Sequence, residues 1–300
     1  MKTLLRQLRH VIRPWTLELR GVITRRRFLQ GSIGAAAAGI GVGLYTWQVE
    51  PHWIEFVRRP LPIRGLPDGL RGRTLVQLSD IHVGPRVADH YVLETFARVR
   101  ALSPDIVVFT GDFVSYHTDV YDHAERVYRE PPRGRLGTFG ILGNHDYGPN
   151  WAHPEVAARL IDQLRAVGIH VLRNDVADVA GLQIAGMDDL WGRRFDPVRT
   201  IAALDRTRAA IVLSHNPDTV DRPGWEGYQG WVLSGHTHGG QCKPPFLPPP
   251  LIPVENRRYT CGEFDIGGDR MLYISRGVGH LLQVRINVRP EATVFELQRA

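Results

Sequence analysis

Six short β-rich runs dominate this chain, and five of them end in residues that carry chemistry. The runs are Thr74–Ser79, Ile106–Thr110, Thr138–Leu142, Ile211–Ser214, Trp231–Ser234 and Met271–Ser275, each bounded by turn residues. The five chemical tips read Ser79-Asp80-Ile81-His82, Gly111-Asp112, Gly143-Asn144-His145-Asp146, Ser214-His215-Asn216 and Gly235-His236-Thr237-His238-Gly239-Gly240. Helical patterns lie between runs: Val92, Phe96 and Val99 share one face, as do Val156, Leu160, Leu164 and Val167, the latter opening after Pro154. Strand–helix–strand units of this length predict an α/β fold with buried sheets. Ligands of such sheets collect at the carboxyl ends of strands, so five tips can converge on one crevice. Asp80 and His82 are two residues apart, as are His236 and His238, which in extended backbone sends both side chains to one side. Trp53–Arg73 reads as a linker punctuated by Pro and Arg, and Gln283–Val288 with Thr293–Leu297 as two antiparallel strands.

Charge separates the N-terminus from this body. Residues 1–27 hold Lys2, Arg6, Arg9, Arg13, Arg20, Arg25, Arg26 and Arg27 against Glu18 alone, leaving 29 basic and 30 acidic residues in 28–300. The formal charge of +6 is therefore a property of the leader, and it gives no support to a nucleic-acid groove in the body. Phe28–Val49 carries no charge. As a helix it would reach roughly 33 Å, enough for a hydrocarbon core of about 30 Å. Ahead of it, Thr24-Arg25-Arg26-Arg27-Phe28-Leu29-Gln30 resembles the twin-arginine export motif. Ala36-Ala37-Ala38 has the small residues of a cleavage site but follows a short apolar run, so anchor and cleaved leader both stay open, with a retained anchor favoured. Either way the basic flank stays inside and the body lies outside the cytoplasmic membrane, in periplasm or cell wall. The organisation expected is a basic leader at 1–27, an apolar signal or transmembrane segment at 28–49, a linker at 50–72 and a domain at 73–300.

The ordered tips resemble the calcineurin-like metallophosphoesterases. That family's pattern is Asp-x-His, Gly-Asp, Gly-Asn-His-Asp/Glu, a His, then Gly-His-x-His, and all five elements occur in order here. The resemblance covers about residues 73–298, including Tyr273-Ile274-Ser275-Arg276-Gly277, and is nearest to bacterial membrane-associated, twin-arginine-exported phosphodiesterases. It implies a two-sheet α/β sandwich flanked by helices, preceded here by one N-terminal apolar helix. It also implies two divalent ions per chain, one on Asp80, His82 and His238, the other on Asn144, His215 and His236, with Asp112 bridging. Nitrogen and oxygen donors without thiolate suit Mn, Fe, Zn or Ni. Two ions about 3.5–4 Å apart can hold a bridging hydroxide and clamp phosphoryl oxygens during in-line attack. By the same resemblance His145 protonates the leaving oxygen, and Asp146 orients His145.

The activity implied is dimetal-dependent hydrolysis of a phosphodiester or pyrophosphate bond in an envelope-associated or lipid-linked substrate. Gly111-Asp112-Phe113 lacks the Asp-Arg-Gly continuation of Ser/Thr protein phosphatases, and Asp146 stands where those enzymes have Glu. Cleavage of a UDP-diacylglucosamine-type lipid, a nuclease and a non-catalytic membrane-tethered interaction module are the alternatives. The partners expected are the membrane and the twin-arginine machinery rather than nucleic acid.

Other residues have simpler readings. His117, His123 and His153 are loop histidines, Asp188-Asp189 a turn-forming pair and Arg276 a surface ion pair. Lys243–Pro253 interleaves six prolines with Phe246, Leu247, Leu251 and Ile252, forming either a stiff apolar rim for a lipid surface or a loop packed on its own domain. Cys242 and Cys261 flank that loop, either paired or separately buried.

Overall fold

The computed structural model describes residues 24–115 and 121–300. The leader charges from Lys2 to Arg20 and the loop residue His117 lie outside the described residues. The chain divides into two compact units, Met1–Gly43 and Leu44–Ala300. In the first, helix α1 (Arg25–Leu44) buries none of its side chains, as an Ala- and Gly-rich apolar segment without a polar face would in water. The helical run Arg25–His52 is long and apolar enough to cross a membrane.

Among the described residues of the second unit, twelve strands form two six-stranded sheets. The first holds β1 (Glu55–Ile63), β2 (Thr74–Leu78), β3 (Ile106–Thr110), β4 (Gly137–Ile141), β5 (His170–Val171) and β12 (Glu291–Arg299), in the order β1-β12-β2-β3-β4-β5. The second holds β6 (Asp175–Val179), β7 (Leu182–Gly186), β8 (Ala210–Leu213), β9 (Gly230–Ser234), β10 (Gly262–Gly267) and β11 (Arg270–Ile274), in the order β10-β11-β9-β8-β7-β6. Strands β2 to β5 run parallel, as do β7, β8, β9 and β11, because helices or long crossovers separate them.

The period of two along each central strand builds three apolar layers. Leu75, Ile106, Val108, Ile141, Ile184, Ile211 and Leu233 meet between the sheets. Val76, Leu78, Val107 and Phe109 face the other way, onto Val92, Phe96 and Val99 of α2 (Asp89–Ala101) and Leu160, Ile161 and Leu164 of α4 (Pro154–Ala166). Short helix α3 (Tyr121–Val127) joins this layer. Ala185, Val212, Val232 and Ile274 face outward from the second sheet onto Ile201 of α5 (Pro197–Ala202). This is the expected two-sheet sandwich. Gln77 is buried between the sheets and donates to Ser234 O at 2.9 Å and Thr110 Oγ1 at 3.0 Å, which ties three strand tips together.

Two expectations are corrected. The segment predicted as linker contains β1, an edge strand parallel to β12, and edge placement is where Pro60 and Pro62 are tolerated. Gln283–Val288 is not a strand; it makes one isolated bridge, Cys242 with Ile286, and β12 pairs with β1 and β2 instead. Arg285 explains this. Its fully buried guanidinium donates to the carbonyls of Arg276, Gly277, Gly279 and Val288, which fixes the segment as a loop folded about one side chain.

Candidate metal centre

The carboxyl ends of β2, β3, β4, β8 and β9 bring their loops together as the strand order requires. Two buried clusters result, Asp80 with His82 and His238, and Asp112 with His215 and His236; within each, the donor atoms lie within 4.8 Å of one another. The pairs spaced two apart do not act through extended backbone. Asp80, His82, Asp112, His236 and His238 all have left-handed φ, between 50° and 72°. Non-glycine residues adopt that region at a cost, and such conformations gather at functional sites. The consequence is specific: Asp80 and His82 stay in one cluster, while His236 and His238 are divided between two.

Asp112 lies between the clusters. Its Oδ2 is 3.5 Å from His82 Nε2 and 3.2 Å from His215 Nε2. Within the clusters His82 Nε2 is 3.1 Å from His238 Nε2, and His215 Nε2 is 3.2 Å from His236 Nδ1. Asp80 accepts the backbone N–H of His236 on both oxygens, at 3.0 and 3.1 Å. Outer partners fix two of the rings. His215 Nδ1 donates to Thr110 O at 2.7 Å, and His236 Nε2 donates to Pro253 O at 2.8 Å. Each bond places the proton on the far nitrogen and leaves the inward one with its lone pair free for a cation.

Electrostatics agree with that chemistry. Burial holds His82 and His236 at about 3 and His238 well below the ordinary imidazole value, so all three are neutral donors. Burial opposes charge on His215 too, yet the carboxylates of Asp112, Asp80 and Asp189 outweigh it and raise His215 to about 10. Asp112 is held well below the carboxylate range by His215, His145 and His82 despite its burial.

Asn144 gives the direct test of fit. Both polar atoms of its side chain are buried without a hydrogen-bond partner, an expensive arrangement unless something else is coordinated there. Its neighbour Gly143 has no room for a side chain: a Cβ would lie 2.2 Å from Asp112 Oδ1 and 2.7 Å from His215 Nε2. Gly111, at φ 93°, would put its Cβ 2.6 Å from His215 Nδ1. The donor set and the orphaned amide fit two divalent ions.

The remaining residues fall as follows. His145 is the second residue of the helical turn Asn144–Tyr147 after β4, and it donates its backbone N–H to Asp112 Oδ1 at 3.0 Å. Asp146 accepts from Gly143 N at 2.8 Å and Val114 N at 3.1 Å, which ties this turn to the loop after β3. Asp188 and Asp189 are both buried. Asp188 binds Tyr147 Oη and Arg173, while Asp189 caps a turn through Gly192 N at 2.6 Å and is raised by burial to about 7. Arg276 pairs with Glu291 at 2.5 Å and Glu55 at 3.0 Å, half-buried rather than on the surface. His123 pairs with Asp89 and His153 with Glu155, outside both clusters. Cys242 and Cys261 are unbonded to each other. The sequence did not reveal Trp191, whose ring stands edge-on to His236 at 4.5 Å, nor Arg285, which reaches His238 Nδ1 at 3.4 Å.

Comparison with known proteins agrees with this geometry. Residues 73–240 match the calcineurin-like phosphoesterase family. The chain is 33% identical over 285 residues to phosphodiesterase YaeI of Escherichia coli (strain K12), covering 92% of this chain and 100% of that one. It is 34% identical over 297 residues to the uncharacterized metallophosphoesterase YkuE of Bacillus subtilis (strain 168), covering 92% and 98%. It is 26% identical over 323 residues to UDP-2,3-diacylglucosamine pyrophosphatase LpxG of Chlamydia muridarum (strain MoPn / Nigg), covering 88% and 97%. With clusters suited to metal at its strand tips, the chain belongs to the calcineurin-like phosphoesterase family, hydrolases acting on phosphate esters.

Proposed function

We propose that this protein hydrolyses a phosphodiester or pyrophosphate bond in a lipid-linked substrate at the outer face of the cytoplasmic membrane. The observation that carries the reading is the Asp112 carboxylate set between two buried His- and Asp-containing clusters. Asp80, His82 and His238 would hold one ion, and Asn144, His215 and His236 the other, with Asp112 shared. Bound there, two divalent ions supply Lewis acidity and an activated water. The chain's own residues do the rest. Thr110 O and Pro253 O hold His215 and His236 in their ligating tautomers. His145, fixed by its backbone bond to Asp112, is placed to give a proton to the leaving oxygen.

Support for a lipid-linked substrate comes from the surface. Phe246, Leu247 and Leu251 stand exposed on the proline-rich loop, which packs against the His236–His238 turn: Pro249 lies where a side chain on Gly240 would sit. Leu282 and Trp47 are exposed on segments joined by the bond from Gln283 Nε2 to Trp47 O. An apolar helix precedes Trp47 in the chain, and the arginine triplet that opens it supports twin-arginine export with the body outside. A leader and an apolar segment ahead of the catalytic body belong to this reading. Cleavage of a UDP-diacylglucosamine-type lipid is the second reading, favoured by the likeness to UDP-2,3-diacylglucosamine pyrophosphatase LpxG.

The test is hydrolysis by the full chain in detergent of an aryl phosphodiester beside the matching monoester, with Mn, Zn, Fe or Ni supplied in turn. Metal-dependent turnover that favours the diester supports the reading. A preference for the monoester, or turnover indifferent to chelation, contradicts it.

A further inference from the structure

Arg285 is fully buried and makes no ion pair among the described residues, an expensive state for a permanent cation. Carbonyls take the place of a carboxylate. Its Nη2 donates to Arg276 O at 3.0 Å, Gly277 O at 3.3 Å and Gly279 O at 2.7 Å, and its Nη1 donates to Val288 O at 3.1 Å. The same Nη2 stands 3.4 Å from His238 Nδ1.

The carbonyls gathered on Nη2 belong to the loop that lies against Asp80. Val278 N donates to Ser79 O at 2.9 Å, and Gly279 N donates to Asp80 O at 2.7 Å. A Cβ on Gly277 would fall 2.8 Å from Asp80 Cβ, and one on Gly279 would fall 2.1 Å from Ile81 O, so the two backbones touch with no space between them. The contacts of Arg285 thus lead to Asp80 and His238, both of the first cluster.

The outer side of the Arg285 loop is held by the helical segment that follows α1. Thr46 O accepts Arg285 N at 3.0 Å, and Trp47 O accepts Gln283 Nε2 at 3.1 Å. The buried carboxylate of Glu50 accepts Val288 N at 2.7 Å.

Resting on the metal-centre reading, we propose that Arg285 is a positioning residue for the first cluster and that residues 45–52 hold it in place. The segment leading out of α1 is then part of the support of the metal centre rather than a spacer. A guanidinium suits the task because its planar fork fixes several carbonyls at set angles, which an ammonium cannot do. Groups that orient a metal ligand from behind typically cost about 10–100-fold in metal affinity when removed.

Stepwise Mn titration of the full chain in detergent tests this, the first-cluster step being the one that His82→Ala removes. Arg285→Lys is expected to weaken that step about tenfold or more and to leave the other within about twofold. Glu50 lies outside both clusters, yet Glu50→Ala is expected to weaken the same step several-fold. Glu50→Gln keeps an acceptor for Val288 N and should restore it. Thermal unfolding beside each titration identifies a variant that has lost its fold, and Glu50→Ala carries the test if Arg285→Lys is one. Equal weakening of both steps overturns the proposal, as does a first-cluster step unchanged in Arg285→Lys and Glu50→Ala. If the unaltered chain binds no ion, the metal-centre reading itself fails.

Discussion

The backbone N–H of His145 donates to Asp112 Oδ1 at 3.0 Å, while the other oxygen of Asp112 faces His82 and His215. One carboxylate thus joins the two clusters and also fixes the start of the turn that carries the proposed proton donor. The turn cannot shift without moving Asp112, because Gly143 leaves no free space against that carboxylate.

His145 lies in neither cluster, so its loss should separate chemistry from metal binding. His145→Ala is expected to lower kcat on an aryl phosphodiester about 10²–10⁴-fold, the usual range for a general acid. Metal content by mass spectrometry should match the parent protein. Loss of an ion together with activity would make His145 a ligand instead.

Gly235 precedes His236 where a Cβ would fall 1.9 Å from Ser79 Oγ and 2.4 Å from Asp80 Oδ2. Gly235→Ala must therefore displace Asp80 or the His236 turn. Weaker binding of the first ion and a lower melting temperature are expected, read by metal titration and thermal unfolding. An unchanged first-ion affinity would show that the tip tolerates movement the geometry forbids.

Asp105 lies far from the metal centre and reports stability instead. Its burial disfavours charge, but bonds from Thr74 N at 2.8 Å, Thr74 Oγ1 at 3.1 Å and Arg135 at 2.8 Å outweigh that and hold it below the ordinary carboxylate value. A carboxylate lowered on folding stabilises the fold above its unfolded pKa of about 4, and the contribution is lost as pH falls through the folded value. Asp105→Asn should cost about 1–3 kcal/mol at pH 7. Denaturant unfolding should find the gap from the parent narrowing below about pH 4. A gap independent of pH would mean the cost is steric.

Phe246 and Leu251 are exposed and pack into no core. Replacing both with Ser should leave the fold intact and lower several-fold the ratio of turnover on a vesicle-borne diester to turnover on a soluble one. An unchanged ratio would leave the loop without a part in meeting lipid.

Much of this architecture is legible in the chain because strand tips with Gly, Asp, Asn and His interrupt apolar runs. The bounds of β2, β3, β8, β9 and β11 agree with the sequence reading to within a residue. β1 was hidden by Pro60 and Pro62, which weaken a strand pattern except at an edge. The alternation Val284, Ile286, Val288 imitates a strand, but one buried guanidinium at Arg285 gathers the carbonyls around it, and no local pattern announces that. Asp80, His82, Asp112, His215, His236 and His238 stand out in the sequence because they sit in short motifs at strand tips, and the fold gathers them into two clusters. The left-handed backbone at Asp80, His82, Asp112, His236 and His238 was not legible, because five Asp and His residues carry no glycine-like signal. Trp191 and Pro253 lie 45 and 17 residues from His236 in sequence, so their contacts with it emerge only from the folded chain.

The central claim is that Asp112 links two metal sites, and metal stoichiometry beside diester hydrolysis tests it most directly. The full chain should bind two divalent ions and turn over an aryl diester, and Asp112→Ala should lose at least one ion and the turnover with it. Two ions retained with undiminished hydrolysis in Asp112→Ala, or no ion bound by the unaltered chain, would contradict the account.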